Sequence, residues 1–154
     1  MAVGGFNNSP PTTTNRTLLH AASVAAAAAD LLYVSDVTNG YCKPAGQFTD
    51  QGTEALTQQS FAALFAGIGT TTQSASDTTA RPAAVLVDQI VLAFPCDSAT
   101  FEQDDFVAPK YTAGVLSNQV LVKVTDPTRA IGQVVRKYTS AVTTVDVRLT
   151  STTT

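Results

Sequence analysis

From Gln89 to Leu149 the chain reads as short apolar segments separated by polar turns, and this punctuation limits the folds open to it. An acidic turn, Glu102-Gln103-Asp104-Asp105, runs into Phe106-Val107-Ala108-Pro109. Ala130-Ile131-Gly132-Gln133-Val134-Val135 and Val145-Asp146-Val147-Arg148-Leu149 follow. Runs of this length between turn residues build a small antiparallel barrel or sandwich rather than helical layers. The expected fold is therefore mainly β: a small β-barrel or jelly-roll-like sandwich, with one short helix and an extended N-terminal arm.

The helix is expected over about 54–66. Leu56, Ser60, Phe61, Leu64 and Phe65 recur at three- and four-residue intervals after Thr53-Glu54, and Gly67-Ile68-Gly69 is expected to stop it. Leu31-Leu32-Tyr33-Val34 reads as a strand. Asn39-Gly40 suits a turn that needs positive φ, and Tyr41-Cys42-Lys43 returns from it, ended by Pro44. Residues 83–94 read as one long alternating strand closed by Pro95, with Asp88-Gln89 dividing it between two environments. Further strands are expected at 106–107, 120–124, 130–138 and 143–149, with Asp126-Pro127 as a turn. Residues 18–29 fit either a short helix or a close-packed extended segment.

Residues 1–17 read as a polar arm, because Pro10-Pro11 forbids helix and favours an extended path. A single β-rich domain spans 18–150, and 151–154 is a polar tail. A weak internal repeat also shows. Asp30-Leu31-Leu32, Gly40, Lys43 and Ile68-Gly69 echo Asp105-Phe106-Val107, Gly114, Lys123 and Ile131-Gly132.

Composition narrows the function classes. Charged residues are only 14 % of the 154, against a usual ~25 %, and the net charge is −3. Nucleic-acid binding rests on clustered Lys and Arg, and Arg136-Lys137 is the nearest thing to a cluster, so no direct nucleic-acid partner is expected. The first residues lack the basic and apolar regions of a signal peptide, and no apolar run approaches a membrane span, so no membrane partner is expected.

Catalytic sets are equally sparse. His20 is the only histidine and sits in no motif, and GxSxG is absent. Cys42 and Cys96 form no CxxC and read as two buried free thiols. Glu102, Asp104 and Asp105 lack the EF-hand glycine and terminal Glu, so they read as a solvated turn. Gly67-Ile68-Gly69 lacks Walker spacing. Phe61, Leu64 and Phe65 read as a core face. No catalytic residue, cofactor or metal is expected, and the protein is not expected to be an enzyme.

Taken in order, three segments of the first half resemble the capsid decoration (cement) proteins of tailed bacteriophages. They are Ala29-Asp30-Leu31-Leu32-Tyr33-Val34, Gly40-Tyr41-Cys42-Lys43-Pro44-Ala45 and Ser60-Phe61-Ala62-Ala63-Leu64-Phe65-Ala66-Gly67-Ile68. The second half carries Ala99 to Pro109, Ala130 to Arg136 and Thr144 to Leu149. Where that family often has Gly-Asp before the apolar pair, this chain has Ala29-Asp30 and Asp104-Asp105. The resemblance implies a virion structural protein on the outer surface of the capsid, made in the bacterial host cytoplasm. Its partners would be the major capsid protein and itself, as a homo-oligomer, commonly a trimer. Contacts to the capsid or to other copies would then fall on the arm, at Phe6, Asn7, Asn8, Pro10, Pro11, Thr12, Thr13 and Arg16. The other function considered is a carbohydrate- or cell-surface-binding module on a virion, which the absence of Trp disfavours.

Overall fold

The computed structural model describes residues 15–151. They form a mainly β structure of two closed five-stranded barrels and a single α-helix. The first barrel contains β1 (Asn15–His20), β2 (Leu31–Asp36), β3 (Tyr41–Pro44), β4 (Phe65–Gly69) and β5 (Arg81–Leu86). The second contains β6 (Gln89–Phe101), β7 (Phe106–Thr112), β8 (Val115–Val124), β9 (Gly132–Val134) and β10 (Tyr138–Leu149). The helix α1 (Glu54–Leu64) lies between β3 and β4.

The two barrels have the same topology. In each, the first strand runs parallel to the third and antiparallel to the fifth, and the second pairs with the third and fourth. The fourth then pairs with the fifth and completes the ring. The turn before the second strand repeats bond for bond. Asp30 Oδ2 accepts from Ala27 N at 2.8 Å, and Asp105 Oδ2 accepts from Glu102 N at 2.8 Å. Ala29 N donates to Gly69 O and Gly69 N to Asp30 O. Asp104 N donates to Val134 O and Val134 N to Asp105 O. Both residues before the aspartate are left-handed, with φ 76° at Ala29 and 71° at Asp104.

These bonds correct the register of the sequence repeat. Gly69 is equivalent to Val134, so Gly67, and not Gly69, matches Gly132. Each of the two matching glycines lies where an added Cβ would run into a carbonyl of the fifth strand, Leu86 O or Arg148 O. Only glycine lets the fourth strand approach closely enough to complete the ring.

Burial explains the continuous apolar run of β2. Leu32 and Val34 join Leu18, Cys42, Ala66, Ala83 and Val85, small and medium side chains that fill the narrow first barrel. Leu31 and Tyr33, on the opposite face, pack with Phe61 and Phe65 in an apolar cluster that continues into Phe94, Phe101, Leu121, Val145 and Val147 of the second barrel. The two barrels thus share one core, and β2 is buried on both faces.

The helix begins where expected, with Thr53 Oγ1 accepting from Leu56 N at 3.2 Å. Its buried residues are Thr57, Gln58, Phe61 and Ala62, whereas Leu56 is 51 % exposed and does not belong to the core face. Phe65-Ala66-Gly67-Ile68-Gly69 does not merely stop the helix but forms β4 at once.

Other segments also differ from the sequence reading. β1 begins at Asn15, so the last three residues of the 1–17 arm pair with β5, with Arg16 opposite Val85. Residues 21–30 contain turns and a lone bridge from Ala26 to Gln73, and no helix. The long strand expected over 83–94 is two strands, broken at Val87-Asp88, where Asp88 has φ 55°. Pro95 does not close β6, because it lies inside the strand opposite Thr144. The strand expected over 130–138 is the short β9 and the first residue of β10, while β8 starts earlier than Val120.

Replacing Ala29 with Gly is expected to raise unfolding free energy by about 0.5–1 kcal/mol, as relief of a left-handed side chain outweighs added chain entropy. Gly67→Ala is expected to lower it by about 2–3 kcal/mol. Urea unfolding of both variants checks the pair, and opposite signs are required.

Candidate functional site

Polar bridges fix the two barrels to each other. Gln58, fully buried on α1, donates from Nε2 to Pro109 O of β7 at 2.7 Å. Its Oε1 accepts from Arg129 Nε at 2.8 Å and from the Arg129 NH2 group at 2.5 Å. Arg129 also lies 3.5 Å from Glu54. A buried amide that satisfies both a carbonyl and a guanidinium is costly to remove, since each partner would be left desolvated. Asp50 accepts from Thr57 Oγ1 at 2.9 Å and from the Tyr111 hydroxyl at 3.2 Å. Gly46 N donates to Asn118 Oδ1 at 2.6 Å, and Gln119 Nε2 donates to Asp30 Oδ1 at 2.8 Å.

A shallow groove of about 520 Å³ opens beside these last bridges, lined by Ala25–Ala27, Asp30 and Ser117–Gln119. Several of its polar atoms are already used. Asp30 is bonded to Ala27 N and Gln119, Asn118 to Gly46, and Ser117 Oγ to the amides of Gln119 and Val120.

His20 is 1 % exposed, with Nε2 2.8 Å from Thr71 Oγ1 and Nδ1 4.0 Å from Cys42 Sγ. Burial holds its pKa below the ordinary value, against the opposing pull of Asp30. Cys42 is equally inaccessible, at 1 %. A histidine and a thiol sealed from solvent pack the barrel and have no access to a substrate. Cys96 is also buried, and both thiols are free, as read from the sequence. Burial, with Asp97 nearby, pushes the Cys96 pKa up.

The acidic turn is a structural device. Asp105 caps Glu102 and pairs with Lys123 at 2.7 Å, and Glu102 pairs with Lys137 at 3.1 Å. Among the described residues no group of three or more potential metal-ligating side chains comes together, and no helix is long and apolar enough to cross a membrane.

The broad outer surface formed by β6 and β10 has a different character. Ser98, Thr100, Thr139, Ser140, Ala141, Thr143 and Thr144 are exposed, and several neighbouring charges are neutralised in place. Lys110 pairs with Asp97 at 2.8 Å, and Arg136 pairs with Asp146 at 3.0 Å while lying over the Tyr138 ring. Ile90 and Leu92 stand out from it at 47 % and 71 % exposure. Strict alternation would put Leu92 on the same face as Phe94, which is 3 % exposed. A β-bulge separates them, since β6 has one residue more than β10 between the Val91–Val147 and Phe94–Val145 pairs. Ala93, at φ 53°, takes the strained position and donates its N–H to Asp146 Oδ1 at 2.8 Å. The sequence reading missed this patch because a bulge leaves no mark on the hydrophobic pattern.

Of the residues expected to make capsid or oligomer contacts, Arg16 is in β1. Phe6, Asn7, Asn8, Pro10, Pro11, Thr12 and Thr13 lie outside the described residues. No known family model matches the chain, and no curated protein matches it.

Two outcomes are expected. Gln58→Ala lowers stability by about 2–3 kcal/mol in urea unfolding, with Arg129→Ala close to it and the double variant well short of additive. Stability also falls in two stages on acidification. His20 binds its proton more readily unfolded, so its contribution is complete above about pH 6.5 and is lost as pH drops toward the lower folded value. Asp36, Asp77 and Asp126 are held below the usual carboxylate range chiefly by side-chain hydrogen bonds from Asn39, Arg81 and Thr128, and add a second decline below about pH 4. Thermal melts across pH check this, and His20→Gln should flatten only the upper stage.

Proposed function

We propose that this chain is a non-enzymatic structural protein of a tailed-phage virion. It would bind the outside of the capsid and stabilise the shell by bridging neighbouring major capsid proteins. The observation that carries the reading is where the resembling segments fall. Ala29-Asp30 and Asp104-Asp105 form the two equivalent left-handed turns, and the Ala66-Gly67 and Ile131-Gly132 segments supply the fourth strands that complete the two rings. What supports the reading is that these segments lie at the turns and strands on which the fold depends.

The rest of the surface suits the task. A face of Thr, Ser and Ala whose nearby charges are paired can make extensive polar and van der Waals contact with little charge to desolvate. Each such contact is modest, but repetition over a lattice, and within a homotrimer, makes many weak contacts act together. Two barrels joined through one core form a stiff body, as a bridge between capsid subunits requires. The arm residues Phe6 to Thr13 would extend the contact to a neighbour.

The deciding experiment is co-sedimentation with intact, washed capsid particles from the source. Recovery at close to equal stoichiometry with the major capsid protein is the expected result. Absence from the particles would overturn the proposal.

A further inference from the structure

The two barrels are equivalent, yet only the first has one particular face covered. The opposed pair Leu31–Ile68, on the second and fourth strands of the first barrel, corresponds to Phe106–Gln133 in the second. Leu31 and Ile68 are buried in the shared core, where β2 touches α1 and β8. Phe106 is half-buried and Gln133 is exposed, and with Pro127 and Ala130 they line an open groove of about 240 Å³. The connection between the third and fourth strands makes the difference. In the first barrel it carries α1, whose Phe61 packs beside Tyr33 in the core. In the second it is the short turn at Pro127–Arg129, which leaves the face open.

The hairpins of the second and third strands differ in the complementary way. In the second barrel the β7–β8 hairpin grips the first barrel: Pro109 O accepts from Gln58, the Tyr111 hydroxyl donates to Asp50, and Asn118 accepts from Gly46 N. Its counterpart is the β2–β3 hairpin. Among the described residues, no hydrogen bond or ion pair joins residues 35–41 to the second barrel. At its tip Val37 is 79 % exposed, more than any other large apolar side chain described. Asp36 beside it accepts from Asn39 and pairs with no cation. A matching charge lies at the groove. Arg148 stands directly opposite Gln133, is exposed, and forms no ion pair among the described residues.

We infer that the groove at Phe106 and Gln133 receives the β2–β3 hairpin tip of a second copy of this chain, with Val37 against Phe106 and Asp36 paired with Arg148. The contact repeats between molecules what the β7–β8 hairpin does to the first barrel within one molecule. Val37 loses its exposed apolar surface, and the guanidinium gains the carboxylate that its fork of donors fits. Hairpin and groove are different surfaces, so the interface is head-to-tail, and each copy keeps one of each free until a ring closes. The inference rests on the self-association part of the proposed function, whose surfaces it names, and does not depend on attachment to a capsid.

The test is sedimentation of the purified full chain without capsid, which should show a discrete oligomer of the 16.0 kDa chain. Arg148→Glu and Val37→Asp should each weaken self-association at least about tenfold, and Asp36→Lys combined with Arg148→Glu should recover most of what Arg148→Glu loses. A monomer at high micromolar concentration overturns the inference, as does association that neither single variant weakens or that the charge swap fails to restore. Thermal melts check that each variant folds. If one does not, the full chain with Val37→Cys and Gln133→Cys decides. Mild oxidation and peptide mapping should give a 37–133 disulfide between two molecules, formed at least about tenfold faster than the crosslink of a Val37→Cys/Thr139→Cys control. A 37–133 bond within one molecule, or formation no faster than the control, refutes the docking. With capsid absent, failure here leaves the co-sedimentation result standing, and a chain that self-associates but is missing from the particles overturns only the capsid reading.

Discussion

The structure depends on one small turn used twice. In Ala27–Asp30 and Glu102–Asp105 the aspartate carboxylate accepts the N–H three residues back, while the left-handed residue before it gives its own N–H to the fourth strand. A single side chain thereby fixes both the start of the second strand and the position of the fourth. The fourth strand must then carry glycine where it meets the fifth, because its backbone lies against Leu86 O or Arg148 O. Turn, register and ring closure are therefore one linked constraint. A chain that satisfies it at both places obtains two barrels of the same connectivity, even though their side chains share little.

Much of this was legible in the sequence, and the reasons are specific. Asn39-Gly40 and Thr53-Glu54 are local signals whose physics acts within a few residues, and Gly40 indeed has φ 70° and Thr53 caps the helix. The repeat was visible through Asp30 and Asp105, but its alignment at Ile68-Gly69 slipped by two. What distinguishes Gly67 is its contact with Leu86 O, a neighbour far along the chain. The presence of two barrels was hidden for a related reason. Residues 83–94 read as one alternating strand with a change of environment at Asp88-Gln89, whereas the left-handed Asp88 separates the strand of one barrel from that of the next.

The surface was less readable than the core. A buried side chain announces itself by its apolar character, so Phe61, Phe65 and Val107 were easy to place. Leu92 has the same character and the opposite environment, because the bulge at Ala93 turns it outward. Gln58 shows the converse case. It is a polar residue buried completely, retained because Pro109 O and Arg129 together satisfy its amide. Neither placement follows from hydrophobicity, and both concern the joining of parts.

The same division governs what the molecule can do. Its histidine and thiols are buried, and several of its surface charges are paired. Two rings held by Gln58, Asp50 and Gln119, beyond a common core, resist relative motion of the barrels. A rigid body that presents a hydroxyl-rich face with its nearby charges paired loses little conformational entropy on binding. Such a body is suited to repeated attachment on a regular surface, where each contact must be weak enough to assemble correctly and numerous enough to hold.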